Sequence, residues 1–197
     1  MRLRVIILIG IFLIACNSIA QQWDLRSPDK KIGIRINNAD RLSYTISNDQ
    51  TPAINPSPLG IQLDDQDFTS GLKFLNATEL NVDEPYTVLV GKRVQARNLC
   101  HELILAFENK NKERVNVIFR AYNDGIAFRY HFPKSDGSLH KILSEASGFA
   151  ISTEAKAWIQ AYDLNSRKKP CYETYYENGI KPGTPSPNQA GWAFPAL

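Results

Sequence analysis

Hydrophobic and polar residues alternate along most of this chain with a period of two. Ile32, Ile34 and Ile36 fall on one side of a short run, with Gly33 and Arg35 on the other. Asn37-Asn38-Ala39-Asp40 is a turn cluster, and Leu42, Tyr44 and Ile46 alternate again up to Asn48-Asp49. This predicts a β-hairpin, because successive side chains of a strand point to opposite faces. Leu59 to Leu63 predicts a further strand, entered through Pro56 and Pro58.

The clearest block runs from His101 to Phe132. Leu103, Leu105 and Phe107 share one face, followed by the turn Asn109-Lys110-Asn111-Lys112. Val115, Val117, Phe119 and Ala121 line a second strand, and Ile126, Phe128, Tyr130 and Phe132 a third. Asn123-Asp124-Gly125 joins these two strands, with Gly125 expected to supply the positive φ that tight hairpin turns use. His131 falls out of phase with the apolar face of its strand and is expected to point away from it. No segment sustains an apolar period of 3.6 residues. Long alternating strands joined by short polar turns predict an all-β, antiparallel sandwich or barrel. Residues 133–147 read as a loop or a short helical turn. Alternation fades after Trp158, and from Pro170 the chain reads as a surface segment or linker.

The beginning of the chain follows a different logic. Arg2 and Arg4 precede an apolar run from Val5 to Ala15, the pattern of a secretory signal peptide and too short for a membrane span. Two processing routes are open. Ser18-Ile19-Ala20 offers a peptidase site before Gln21, whereas Leu13-Ile14-Ala15-Cys16 has the form of a bacterial lipobox whose Cys16 would carry the lipid. Without residues 1–20 the chain holds 21 basic against 20 acidic side chains, leaving no charge excess to attract nucleic acid. An oxidising compartment permits a Cys100–Cys171 disulfide, but the spacing does not decide whether one forms.

Chemistry-bearing residues are sparse. Glu173 and Glu177 could serve a glycosidic reaction or a Ca²⁺ ion only if placed suitably, and on spacing alone read as solvated carboxylates. Trp158, Tyr162, Tyr172, Tyr175, Tyr176 and Trp192 could stack on sugar rings or pack the rim of the fold. His101, His131 and His140 show no metal-ligand spacing. Arg97, Arg120 and Arg129 are candidates for ion pairs across the sheet. There is no phosphate loop, CxxC or Gly-x-Ser-x-Gly elbow.

Several motifs together resemble a known family. They are Ser27-Pro28-Asp29, Pro56-Ser57-Pro58-Leu59-Gly60, Arg97-Asn98 with Glu102-Leu103, and the block from Phe119 to Tyr130 (FRAYNDGIAFRY). Tyr172-Glu173-x-x-Tyr176 and the terminal GWAFPAL, residues 191–197, complete the series. The set resembles the N-terminal domain of glycoside hydrolase family 97, exo-acting bacterial α-glucosidases and α-galactosidases. The resemblance implies an antiparallel β-super-sandwich of the galactose mutarotase type, followed in the family by a catalytic (β/α)₈ barrel of about 250 residues. It divides the chain into a signal peptide (1–20), a sandwich (21–170), and a calcium-ligand segment leading toward the barrel (171–197). It implies a carbohydrate partner, an α-glucan or α-galactoside, met through the parent enzyme. It also implies contact with that enzyme's barrel, and a Ca²⁺ cofactor with Glu173 as one ligand. No nucleic acid is expected, and a membrane only if Cys16 is lipidated. The expected location is the periplasm, or the outer membrane through that lipid. Alone, the chain is expected to be inactive. A free-standing carbohydrate-binding or lipid-anchored structural protein is the alternative. Two places depart from the family pattern, Leu99-Cys100-His101 after Asn98 and Glu177 after Tyr176.

Overall fold

In a computed structural model of the protein, residues 21–133, 137, 139–163 and 174–193 are described. Two four-stranded antiparallel sheets dominate. The first has the order β1 (Gln21–Arg26), β2 (Ile32–Asn38), β3 (Leu42–Asn48), β4 (Thr51–Pro58). The second has the order β6 (Lys73–Thr87), β7 (Gln95–Glu108), β8 (Arg114–Tyr122), β9 (Gly125–His131). Between them in sequence lies the short β5 (Ile61–Leu63), which pairs with β10 (Ile142–Glu145). A last sheet places β11 (Ala157–Ala161) between β12 (Tyr176–Ile180) and β13 (Trp192–Ala193).

The alternation in sequence fixes which faces meet. Ile34 and Ile36 of β2 and Leu42 and Tyr44 of β3 are buried, as are Leu103, Leu105, Phe107, Val117 and Phe119 of β7 and β8. Register aligns these side chains across the second sheet: Leu103 sits opposite Phe119, and Phe119 opposite Phe128. Aromatic rings join the sheets. Trp23 of β1 lies 4.8 Å from Phe74 and 5.9 Å from Phe107, and Tyr44 lies 5.7 Å from Phe128. The Tyr44 hydroxyl donates to the Gly148 carbonyl at 2.9 Å, so a buried polar atom is satisfied.

Three expectations need correction. Gly125 does not adopt positive φ. It opens β9 opposite Tyr122, and the two residues Asn123-Asp124 make the turn without it. Gly60 is where the backbone requires a glycine, since a Cβ there would lie 2.8 Å from Thr69 Cα. The second correction concerns 133–147, expected to be a loop or helical turn, where β10 forms. The third concerns the chain beyond Pro170. It reads as a surface segment or linker, yet within it β12 and β13 pair with the two edges of β11.

Two predictions follow from this core. Phe119→Ala, in a site of no exposure, should cost about 3–5 kcal/mol of unfolding free energy in urea titration. Burial pushes the Tyr44 phenol up to about 12 from 10.0. Between those values only the unfolded chain releases the proton, so stability is full below pH 10 and falls as pH rises toward 12. Tyr44→Phe should flatten that alkaline fall, with Tyr130, also raised by burial, leaving a remainder. Parallel pH profiles for the two proteins would contradict the assignment.

Candidate functional site

The motif residues are distributed over several parts of the fold. Ser27-Pro28-Asp29 forms the β1–β2 turn. The Ser27 hydroxyl donates to Asp29 Oδ1 at 2.6 Å and accepts from the Ile32 amide at 3.0 Å. That hydroxyl bond, with the Lys31 amide, holds the Asp29 carboxyl below its ordinary range. The Asp29 amide donates to Asn123 Oδ1 at 3.0 Å, and His101 Nδ1 lies 2.8 Å from the Arg26 carbonyl. These contacts bind one sheet to the other at one end of the sandwich. Ser27, Asp29 and Asn123 therefore act as a joint.

A polar ladder lies on the outer face of the second sheet. Glu102 is 6% exposed and stands directly opposite Arg120, whose Nε donates to Glu102 Oε2 at 2.5 Å. The Glu102 carboxylate, and then Tyr122, keep the Arg120 guanidinium charged well above its usual range. The Tyr122 hydroxyl donates to Asn98 Oδ1, and Asn98 Nδ2 donates to Glu84 Oε2. Arg97 grips both oxygens of Asp83 at 2.6 Å each. Arg97 and Arg120 thus do pair with acids across the sheet. The Arg97–Asp83 and Asn98–Glu84 contacts join β6 to β7 where these strands run past the end of β8, and Arg120–Glu102 joins β8 to β7. Cys100 is buried here as a free thiol, and Cys171 lies outside the described residues.

The C-terminal sheet carries the aromatic density noted in the sequence. Trp158 is 43%, Tyr176 52% and Tyr175 97% exposed. Glu177 of β12, exposed, stands opposite Ile159 of β11. Glu173 and Tyr172 lie outside the described residues. The next residue, Thr174, is tied twice to β11. Its hydroxyl donates to the Ala161 carbonyl and its own carbonyl accepts from Gln160 Nε2, both at 2.7 Å.

One grouping escaped the sequence reading. Asp64, Asp65 and His140 offer ligand atoms within 4.8 Å of one another, the one such group among the described residues. His140 Nδ1 lies 3.1 Å from Asp65 Oδ1 across 75 positions of sequence, a juxtaposition created by β5–β10 pairing. All three are exposed, at the rim of a cavity of about 580 Å³ that Phe68 and Phe132 also line. His131 is exposed, as its phase in β9 requires, and approaches Asn116 at 3.4 Å.

The arrangement is that of an antiparallel β-sandwich with a further three-stranded sheet that carries exposed aromatic side chains. A sequence profile described as Glycosyl-hydrolase 97 N-terminal matches residues 25–197, and the chain belongs to that family as its N-terminal domain. It is 29% identical over 145 residues to a probable retaining alpha-galactosidase of Streptomyces bingchenggensis, covering 71% of this chain and 22% of the galactosidase. It is 28% identical over 162 residues to a retaining alpha-galactosidase of Bacteroides thetaiotaomicron, covering 82% and 23%. In three dimensions it is similar to the crystal structure of a beta-arabinopyranosidase. The TM-score is 0.82 at 26% identity, covering 89% of this chain and 29% of that one. The chain thus spans about a quarter of the length of these relatives.

The ladder gives a stability prediction. Arg120→Ala leaves the Glu102 carboxylate unpaired and should cost about 1–3 kcal/mol, reduced from the fully buried case because Arg120 is 34% exposed. The double replacement Glu102→Met with Arg120→Met should cost less than the single one in the same urea titration.

Proposed function

We propose that this chain is the accessory sandwich of a calcium-dependent α-glycosidase acting on an α-galactoside or α-glucan. Hydrolysis would be carried out by a catalytic barrel that the sandwich packs against. The observation that carries this reading is the family match over residues 25–197, with the chain covering only 22% and 23% of its galactosidase relatives. In this role Glu173 supplies one hard oxygen ligand to Ca²⁺. Thr174, anchored on β11 immediately after it, supports a fixed point of attachment for that segment. One carboxylate cannot fill the roughly six to eight oxygen positions that Ca²⁺ takes, so the barrel would provide the others. When bound, the cation would stabilise negative charge developing near the scissile bond. Arg2, Arg4 and the apolar run after them support export to the periplasm, or anchoring to the outer membrane through Cys16.

A second reading rests on the exposed Trp158, Tyr175 and Tyr176, which suit a domain that binds carbohydrate by itself. Titration with soluble α-glucans separates the two. Saturable tryptophan fluorescence change favours the second reading, and a flat titration opposes it.

The purified chain should release no nitrophenol from aryl α-galactosides or α-glucosides, with or without Ca²⁺. In a protein extended through its barrel, Glu173→Gln should lower activity roughly tenfold or more, the scale on which even outer-shell metal partners act. It should also raise the Ca²⁺ concentration needed for half-maximal rate. Hydrolysis by the chain alone, or an unchanged calcium response in Glu173→Gln, would overturn the proposal.

A further inference from the structure

The outward face of the first sheet carries a cavity of about 330 Å³. The outward residues Asp24, Arg26, Gly33, Arg35, Thr45 and Ser47 line it, with Leu25, Ile34, Ile46 and Ile54 beside them. Two cross-strand rungs define it. Asp24 stands opposite Arg35 and Arg35 opposite Thr45; Arg26 stands opposite Gly33 and Gly33 opposite Ser47. Gly33 is a gap in the second rung. A Cβ there would stand in ordinary van der Waals contact with Ser47 Oγ at 3.5 Å, Arg26 Cγ at 3.8 Å and the Leu25 carbonyl oxygen at 3.9 Å, so a larger side chain would fill the space between the rungs. The fourth side is β4, which slips register against β3 on both sides of Ile46 and borders the cavity with Pro52 and Asn55.

The polar groups are held in place. Arg35 Nε donates to Asp24 Oδ1 at 2.8 Å, and Arg26 Nη1 donates to the Lys30 carbonyl at 3.3 Å. Guanidinium groups offer donors only, the carboxylate acceptors only, and the Thr45 and Ser47 hydroxyls both. A ligand that meets all of them must itself both donate and accept hydrogen bonds, while its less polar face can lie against Ile46, Ile54, Pro52 and Pro56. No aromatic ring lines the cavity, so a flat apolar ligand gains little there. A volume of about 330 Å³ lies at the lower end of the range for small-molecule sites.

We propose that this cavity binds a single hydroxyl-rich sugar ring of a carbohydrate chain, with Gly33 as its floor and Asp24, Arg35, Thr45 and Ser47 as its hydrogen-bonding partners. None of the residues lining the cavity comes from the C-terminal sheet. Only the choice of a sugar over another polyhydroxylated ligand rests on the glycosidase reading. Nuclear magnetic resonance titration of the isotope-labelled chain with methyl α-galactopyranoside and methyl α-glucopyranoside tests it. Amides of Gly33, Arg35, Thr45 and Ser47 should shift saturably, with weak, millimolar-range affinity for at least one of the two sugars. Gly33→Val, a residue suited to a strand, should abolish those shifts by filling the floor. Arg35→Ala should weaken them at least several-fold while the remaining spectrum stays folded. The proposal is overturned if neither sugar shifts these amides, if the shifts centre on Trp158, Tyr175 and Tyr176, or if they persist in Gly33→Val. Because the readout is binding, its failure leaves the calcium test of Glu173 unaffected, and the reverse also holds.

Discussion

Everything in this protein depends on two sheets closing face to face over one row of aromatic and branched side chains. Tyr44 of the first sheet meets Phe128 of the second, and Phe128 meets Phe119 at 6.2 Å. Burying large rings of this kind supplies most of the free energy that offsets ordering the backbone. It also imposes a constraint, because a slip of one residue would turn every core side chain to solvent. Turn contacts such as Asp29 to Asn123 hold the sheets in that relation from outside the core. The residues that make the chain resemble its family are thus, in large part, those that hold the sandwich closed.

That constraint explains what could be read from the sequence. β2, β3, β7, β8 and β9 each carry one face into the core, so their alternation is strong and their partners follow. β6 is an edge strand with mostly exposed side chains, and its alternation is correspondingly weak. β4 contains three prolines, tolerable because it too lies at an edge and its register with β3 is broken. β12 and β13 are short, mostly outside the core, and held by pairing with β11 rather than by a buried face. Gly125 was assigned a backbone role that the turn does not use. Its neighbours Asn123 and Asp124 make an ordinary two-residue connection.

The candidate site was legible only in part. Glu173 came from a resemblance and lies outside the described residues, so its role rests on the family and on the anchoring of Thr174. Asp64, Asp65 and His140 had no signal in sequence, because β-pairing alone brings positions 75 apart into contact. The two rungs around Gly33 were likewise invisible, since a glycine in a strand gains meaning only from what stands beside it. The pattern is physically coherent. The core is written in local alternation, whereas surface chemistry depends on which strands end up adjacent.

A domain of this kind has its own core. Its relatives, more than three times its length, indicate how much protein the proposed enzyme would hold. Reading the gene beyond the codon for Leu197 tests this most directly. The account predicts an open frame of several hundred further codons in which short apolar strands alternate with amphipathic helices and acidic residues stand at strand ends. A stop codon immediately after Leu197, with no barrel-encoding frame beside it, would contradict it and leave a lone sandwich whose role is binding.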